Sequence, residues 1–421
     1  MKRAWKRNFF AAALSAALTL SGCGGQEASQ GMPHQDSVSQ ETGQREPTVL
    51  IYGTMNLDPS IEAGIGFWNQ KQQEYRVEVK TYENSDTGRM QLNNDIVSGK
   101  GPDIFDLSDI NVSNYAAKGV LADLYEYVDE EWQAELVPGV LKTYEIDGKL
   151  FGLPMGYRFE TLMGKRKLVG NAEDWTPDKV LRLARELERD EFLMDALSPL
   201  GFLRAVFSSD TNAYVDWVTG ECHFDGGRFR SLLETAASVD VRYLEEDEKA
   251  QRLADGSLLL ERVYVSDLSE YRQCVELFGG DETSWVGFPS EQGGRTVLYA
   301  RMPIGIFELS SHKDGAWEFI SYLLGEEFQQ KYVMFNFPLR RSVLRERMKN
   351  ADGNMDETAE KLFDLICGLR CEDVSDENIR KIVFEESQVY FDGKKSVEDV
   401  IGVIQNRASV YIDENYRSRQ R

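Results

Sequence analysis

Few residues in this chain are arranged for making or breaking bonds. Its three histidines, His34, His223 and His312, belong to no His-Glu-x-x-His pair and no Cys/His cluster. Cys222-His223 is the nearest approach to a metal-ligand pair, and two neighbours on a strand are a weak donor set. Gly-x-Ser-x-Gly is absent, as is any glycine-rich loop ending in Gly-Lys-Ser/Thr or any Gly-x-Gly-x-x-Gly after a strand, so nucleotide phosphates have no cradle. Paired carboxylates ~5–10 Å apart can cleave glycosidic bonds. With 71 acidic residues, however, some such pair is unavoidable and discriminates nothing. Recognition is left as the chemistry on offer, and it is carried by short polar tips: Thr54-Met55-Asn56 and Asp106-Leu107-Ser108-Asp109.

Both tips close apolar runs. Thr48–Gly53 reads as a buried strand, residues 59–73 as a helix with Ile61, Ile65 and Trp68 on one face, and 76–82 as an alternating strand. A helix over 86–98 is stopped by Gly99, Gly101 and Pro102, which feed the short strand Ile104-Phe105; a further helix runs to Gly119, a suitable C-cap. Strand, helix, strand, helix, strand is the rhythm of a doubly wound parallel sheet, whose ligands sit beyond the carboxyl ends of the strands. Asn56, Met55, Ser108 and Asp109 all fall there, whereas Asp103 is expected to serve the turn. Further on, 151–156 reads as an extended, glycine-broken crossing. Helices dominate 176–207 and 227–239, with a hairpin at 214–224. Strands are expected at 258–265, 285–288 and 296–307, and helices at 314–324, 355–368, 376–391 and 395–415.

The ends carry other signals. Lys2, Arg3, Lys6 and Arg7 precede an apolar stretch, Phe9–Leu20, too short to span a bilayer but suited to a signal peptide. It ends in Leu20-Ser21-Gly22-Cys23, which resembles a bacterial lipobox; Cys23 would then be acylated and anchor the chain outside the cytoplasm. Gly24–Glu46 is rich in Gly, Ser, Gln and Glu and reads as a flexible tether with a reach on the order of 25 Å. Without the leader about 400 residues remain, enough for two or three domains. The net charge of −23 becomes about −27, which argues against nucleic acid and anionic lipid surfaces as partners. A core of this size needs no disulfides, so Cys222, Cys274, Cys367 and Cys371 are expected as buried thiols.

Several segments, in order along the chain, carry a resemblance. They are Gly101-Pro102-Asp103-Ile104-Phe105 with Tyr115–Gly119, Asp147-Gly148-Lys149-Leu150-Phe151-Gly152-Leu153-Pro154, Trp175-Thr176-Pro177-Asp178, Val286-Gly287-Phe288-Pro289, Ala316–Leu324, Phe337–Arg341 and Ser396–Val400. Together with the lipobox, they resemble the extracellular solute-binding proteins of family 1, lipoproteins that feed ABC importers, chiefly with carbohydrates, and are related to maltose-binding proteins. The resemblance implies an α/β fold of the two-lobed periplasmic-binding-protein type (type II), each lobe a sheet flanked by helices, joined by a hinge. It implies a signal peptide at 1–22, a tether at 23–47, a first lobe from 48–157 and 305–375, and a second lobe from 158–304 with C-terminal helices at 376–421. Crossings are expected near 155–160, 301–307 and 372–378. Gly164-Lys165-Arg166 departs from the Tyr-Asn-Lys common in the family, which puts the local strand in question.

A saccharide enclosed between such lobes needs aromatic faces for the apolar side of its rings and short polar groups for its hydroxyls. The expected ligand-binding residues are Met55, Asn56, Ser108 and Asp109 on the first lobe, and Tyr157 and Arg158 at the crossing. Tyr264 and Asp267 follow a strand of the second lobe, and Glu308 follows the last crossing. Trp217 reads as a hairpin edge, and Trp175 as part of a helix entry. The implied protein is a monomer that delivers its ligand to transmembrane permease subunits, without cofactor, metal or catalysis. The same fold binding a peptide, polyamine or organic acid, or a surface lipoprotein glycoside hydrolase, stays open as an alternative.

Overall fold

The computed structural model describes residues 46–415 except 209, 217–218, 280–281 and 372–376. Cys23, the leader, Trp217 and most of the expected third crossing lie outside the described residues. In chain order the strands are β1 (Thr48–Thr54), β2 (Tyr75–Thr81), β3 (Ile104–Asp106), β4 (Glu145–Ile146), β5 (Lys149–Leu150), β6 (Leu153–Lys165), β7 (Phe192–Met194), β8 (Val215–Asp216), β9 (Glu221–Cys222), β10 (Leu258–Val265), β11 (Thr283–Trp285), β12 (Val297–Ile306) and β13 (Phe337–Pro338). One mixed sheet runs β2-β1-β3-β12-β6-β10-β7, with β11 and β13 also on β6, while β4-β5 and β8-β9 are small hairpins.

The parallel half forms as the sequence predicts. Asp58 caps the helix Pro59–Lys71 by accepting from the Ser60 amide, Pro59 fills its first turn, and Ile61, Ile65 and Trp68 face the core. Gly99 ends the helix Asp86–Val97 at φ 71°, a conformation that favours glycine. β3 then enters beside β1, pairing Tyr52 with Ile104 and Gly53 with Phe105. Gly53 is needed there, since a Cβ would lie 2.5 Å from the Pro102 ring. Asp103 does more than serve the turn. Its carboxylate accepts from the Ile51 amide at 2.8 Å and from the Ser310 hydroxyl at 2.5 Å, tying β1, β3 and the segment after β12 together.

β6 is the spine of the other half. One edge pairs antiparallel with β12 and then β11, the opposite edge with β13 and then β10. Of its thirteen residues, only Arg158 is exposed. Alternation sends its two faces to different cores. Tyr157, Phe159 and Met163 join the core built with the helices Pro59–Lys71, Lys313–Leu324 and Glu357–Cys367. Leu162 joins a second core with the helices Pro199–Phe207, Gly227–Ala237 and Val397–Asn415. The departure at Gly164-Lys165-Arg166 leaves the strand intact: Lys165 is buried, donates to the Ala254 carbonyl and pairs with Thr283. Trp175 is buried at a helix entry capped by Thr176, as expected. The strand expected at 285–288 lies instead at Thr283–Trp285, and Gly287 turns the chain after it at φ 75°.

Two site expectations fail on this geometry. Tyr157 is fully buried against Phe337, because it lies on the side of β6 that packs into the first core. Glu308 lies at the wrong end of the parallel half. β12 runs antiparallel to β3, so Ile306 pairs with Ile104 where β3 begins, and the Phe307 amide bonds to the Asp103 carbonyl. Glu308 therefore emerges beside Val120 and Lys313, away from Ser108 and Asp109. Cys222, Cys274, Cys367 and Cys371 are thiols and all but Cys367 are buried; burial pushes the Cys274 thiol up to about 11.

Candidate functional site

At the carboxyl ends of β1 and β3 a polar mouth is organised around one buried carboxylate. The Thr54 hydroxyl donates to Asp106 at 2.7 Å, and the other carboxylate oxygen accepts from the Ser108 amide at 3.0 Å. The Thr54 oxygen in turn accepts from the Asn56 amide at 3.0 Å. These bonds hold the two tips in place and leave Asn56, Ser108 and Asp109 exposed, while Met55 is half-buried against the core beneath. Burial first, then the charges of Asp106 and Asp58, hold the Tyr52 phenol well above its ordinary range, which puts both carboxylates within electrostatic reach of one ring.

From the mouth the site continues onto the crossing strands. Arg301 of β12 reaches Asp58 at 3.0 Å, two residues beyond Asn56. Two residues back along β12, Tyr299 stands opposite Arg158 of β6, whose guanidinium lies 5.4 Å from its ring centre. Tyr264 of β10 lies 6.1 Å from Tyr299, and the Arg262 guanidinium 5.7 Å from the Tyr264 ring. Guanidinium, ring, ring, guanidinium thus form a row across three strands. Beneath it Glu160, 1% exposed, accepts from Arg262 and from the Tyr299 hydroxyl. Burial works against the Arg262 charge, but the bond to Glu160 outweighs it; burial and that same carboxylate push the Tyr299 phenol up. The row itself is open to solvent, with Tyr264 48% exposed.

Of the expected residues, the structure brings Asn56, Ser108 and Asp109 together at the mouth and Arg158 with Tyr264 on the floor. Asp267 is exposed but caps the helix Leu268–Glu276 by accepting from the Glu270 amide at 2.8 Å. Tyr299, Arg262, Glu160, Arg301 and Asp58 escaped sequence reasoning. A signal for most of them was present: Arg158/Glu160, Arg262/Tyr264 and Tyr299/Arg301 are polar or aromatic pairs at i, i+2 inside strand runs, which puts each pair on one face. Surface cavities of about 390 and 500 Å³ lie elsewhere, between Asp178 and Ser231 and between Leu200 and Phe384, on outer helices. Among the described residues no group of three or more His, Cys, Asp or Glu is placed to hold a metal ion, and no helix is long and apolar enough to cross a membrane.

Comparison with known proteins bears on the fold and the family. The profile of bacterial extracellular solute-binding proteins matches residues 68–357. No curated protein matches the sequence. Among solved structures, the sugar-binding protein MalE from the phytopathogen Xanthomonas citri is similar at a TM-score of 0.58 and 16% identity, over 89% of this chain and 100% of that one. A cyclic alpha-maltosyl-1,6-maltose binding protein from Arthrobacter globiformis gives 0.56 at 16% identity, over 88% and 100%. An extracellular solute-binding protein family 1 member from Alicyclobacillus acidocaldarius gives 0.55 at 13%, over 87% and 99%. At such identities the likeness concerns the fold, which is two-lobed and α/β with a central mixed sheet.

Proposed function

Since this chain belongs to the bacterial extracellular solute-binding proteins, we propose that it captures a carbohydrate, an oligosaccharide of a few units, in the cleft above β6, β10 and β12. The family consists of binding proteins and places the chain outside the cytoplasm. The observation that carries the carbohydrate reading is the pair of neighbouring rings, exposed Tyr264 and half-buried Tyr299, set beside a mouth of short polar side chains, Asn56, Ser108 and Asp109. Rings cover the apolar faces of sugars and short polar groups bond their hydroxyls. The sugar-binding descriptions of the structural neighbours support the same reading.

In this proposal the ligand bridges both lobes, and so binds the closed form better than the open one; that difference in affinity drives closure. The lobes are taken as 48–157 with 305–375, and 158–304 with 376–421. Cys23 carries the lipid that holds the protein at the membrane, and the closed form is handed to the permease of an ABC importer. The test is a thermal-shift and calorimetric screen of the protein lacking residues 1–22 against mono- and oligosaccharides. Saturable binding of an oligosaccharide that is recovered intact supports the reading. Cleavage products on long incubation would replace it with a glycoside hydrolase, and binding of peptides or polyamines alone would replace the ligand class.

A further inference from the structure

We propose that the saccharide is anionic, carrying a uronate carboxylate that docks on Arg158. This rests on the carbohydrate reading and specifies its substrate class. The chain has a net charge of −23, yet the strands of its cleft floor carry Arg158, Arg262 and Arg301 against a single buried carboxylate, Glu160. Asp109 is exposed at the mouth, but Glu160, Asp58 and Asp106 are each already engaged. Glu160 takes Arg262 and the Tyr299 hydroxyl, Asp58 takes Arg301 and caps a helix, and Asp106 takes the Thr54 hydroxyl and the Ser108 amide. Arg262 and Arg301 are thereby paired. Arg158 is the exception: exposed, on the rim of the Tyr299 ring, and bonded to no carboxylate among the described residues.

A solvated arginine on an outer helix would mean little. Arg158 differs in its setting. It is the single exposed residue of a thirteen-residue strand otherwise packed on both faces, and its backbone is held by its pair with Tyr299 on one edge and by the pairs of its neighbours Tyr157 and Phe159 on the other. Its guanidinium rests 5.4 Å from the centre of the Tyr299 ring, and that ring is itself held by the bond from its hydroxyl to Glu160. A planar fork held this way suits the two oxygens of a carboxylate, to which arginine bonds in a bidentate manner. With Tyr264 and Tyr299 adjacent, one sugar ring stacks while its exocyclic carboxylate, the C6 substituent of a hexuronic acid, reaches the guanidinium. The hydroxyls of that residue or the next are left to the mouth.

The experiment uses isothermal titration of the protein lacking residues 1–22 with galacturonate, glucuronate and mannuronate oligosaccharides of two to four units. Each is offered as free acid and as methyl ester, beside neutral malto-, xylo- and galacto-oligosaccharides. The expected result is that a free acid binds about ten- to a hundredfold tighter than its own ester, in line with a lost charge-assisted hydrogen bond. Arg158→Gln abolishes that difference and Arg158→Lys restores part of it, with the melting temperature of the empty protein unchanged in both. Esters or neutral glycans that bind as tightly as the acids overturn the assignment while leaving the carbohydrate reading in place. An equal loss for acidic and neutral ligands in Arg158→Gln also overturns it, since Arg158 would then act in closure. If no glycan of either kind binds, the carbohydrate reading falls and this inference with it.

Discussion

The Thr54 hydroxyl and the Asp106 carboxylate meet at 2.7 Å, 2% and 8% exposed, at the point where two parallel strands release their tips. The bond joins segments 52 residues apart and fixes the mouth before any ligand arrives. Thr54→Val keeps the shape but removes the donor to Asp106 and the acceptor for the Asn56 amide. A loss of about 1.5–3 kcal/mol is expected for a bond to a charged group, read by urea unfolding, together with weaker ligand binding. An unfolding free energy equal to the parent's would show that the bond holds nothing.

Tyr157 offers the opposite sign. Its ring is fully buried beside Phe337 and its hydroxyl has no hydrogen-bond partner among the described residues. Tyr157→Phe removes a buried polar atom at no cost in packing, so stability should hold or rise by up to about 1 kcal/mol. Tyr157→Ala leaves a cavity and should cost about 3–5 kcal/mol. Affinity in Tyr157→Phe should match the parent; a large drop would return this side chain to the cleft.

Asp210 predicts a pH effect. Burial outweighs the Arg228 guanidinium at 2.8 Å and lifts its carboxyl from 3.8 to about 6. Between those values the folded chain holds a proton that the unfolded chain has released. This group's contribution is therefore most favourable below about pH 4 and is lost as the pH rises through about 6, by roughly 2–3 kcal/mol. Comparing denaturation of the parent and Asp210→Asn from pH 4 to 7 isolates it: the parent's advantage should shrink with rising pH. A constant difference would place the carboxyl at its ordinary value.

Gly53→Ala should destabilise by about 1–3 kcal/mol through overpacking, because the new methyl meets the Pro102 ring and both sit between strands that cannot part. Thermal unfolding reads this directly, and Pro102→Ala in the same chain should recover part of the loss.

The parallel half was legible residue by residue, because caps, glycines and apolar periodicity are local signals and Pro102, Gly99 and Asp58 each act within a few positions. The mouth at Asn56, Ser108 and Asp109 followed from strand polarity alone. The floor did not. Nothing local tells which strand β12 joins, and its antiparallel entry beside β3 is what removes Glu308 from the mouth and brings Tyr299 to Arg158. Nor could Tyr157 be told from Arg158 until tertiary packing fixed which side chains of β6 are covered. Lys165 is another such case, an ammonium hidden by a tertiary contact to the Ala254 carbonyl.

β6 also governs how the molecule can be divided. Because one unbroken strand donates residues to both packed cores, and its edges are paired by β12, β11, β13 and β10, neither core is a separable fragment. A truncation ending near residue 157 would cut the strand in two and bare its amides to other chains. Chemical denaturation should therefore melt both cores in one cooperative step, and the closure proposed above would flex a continuous sheet.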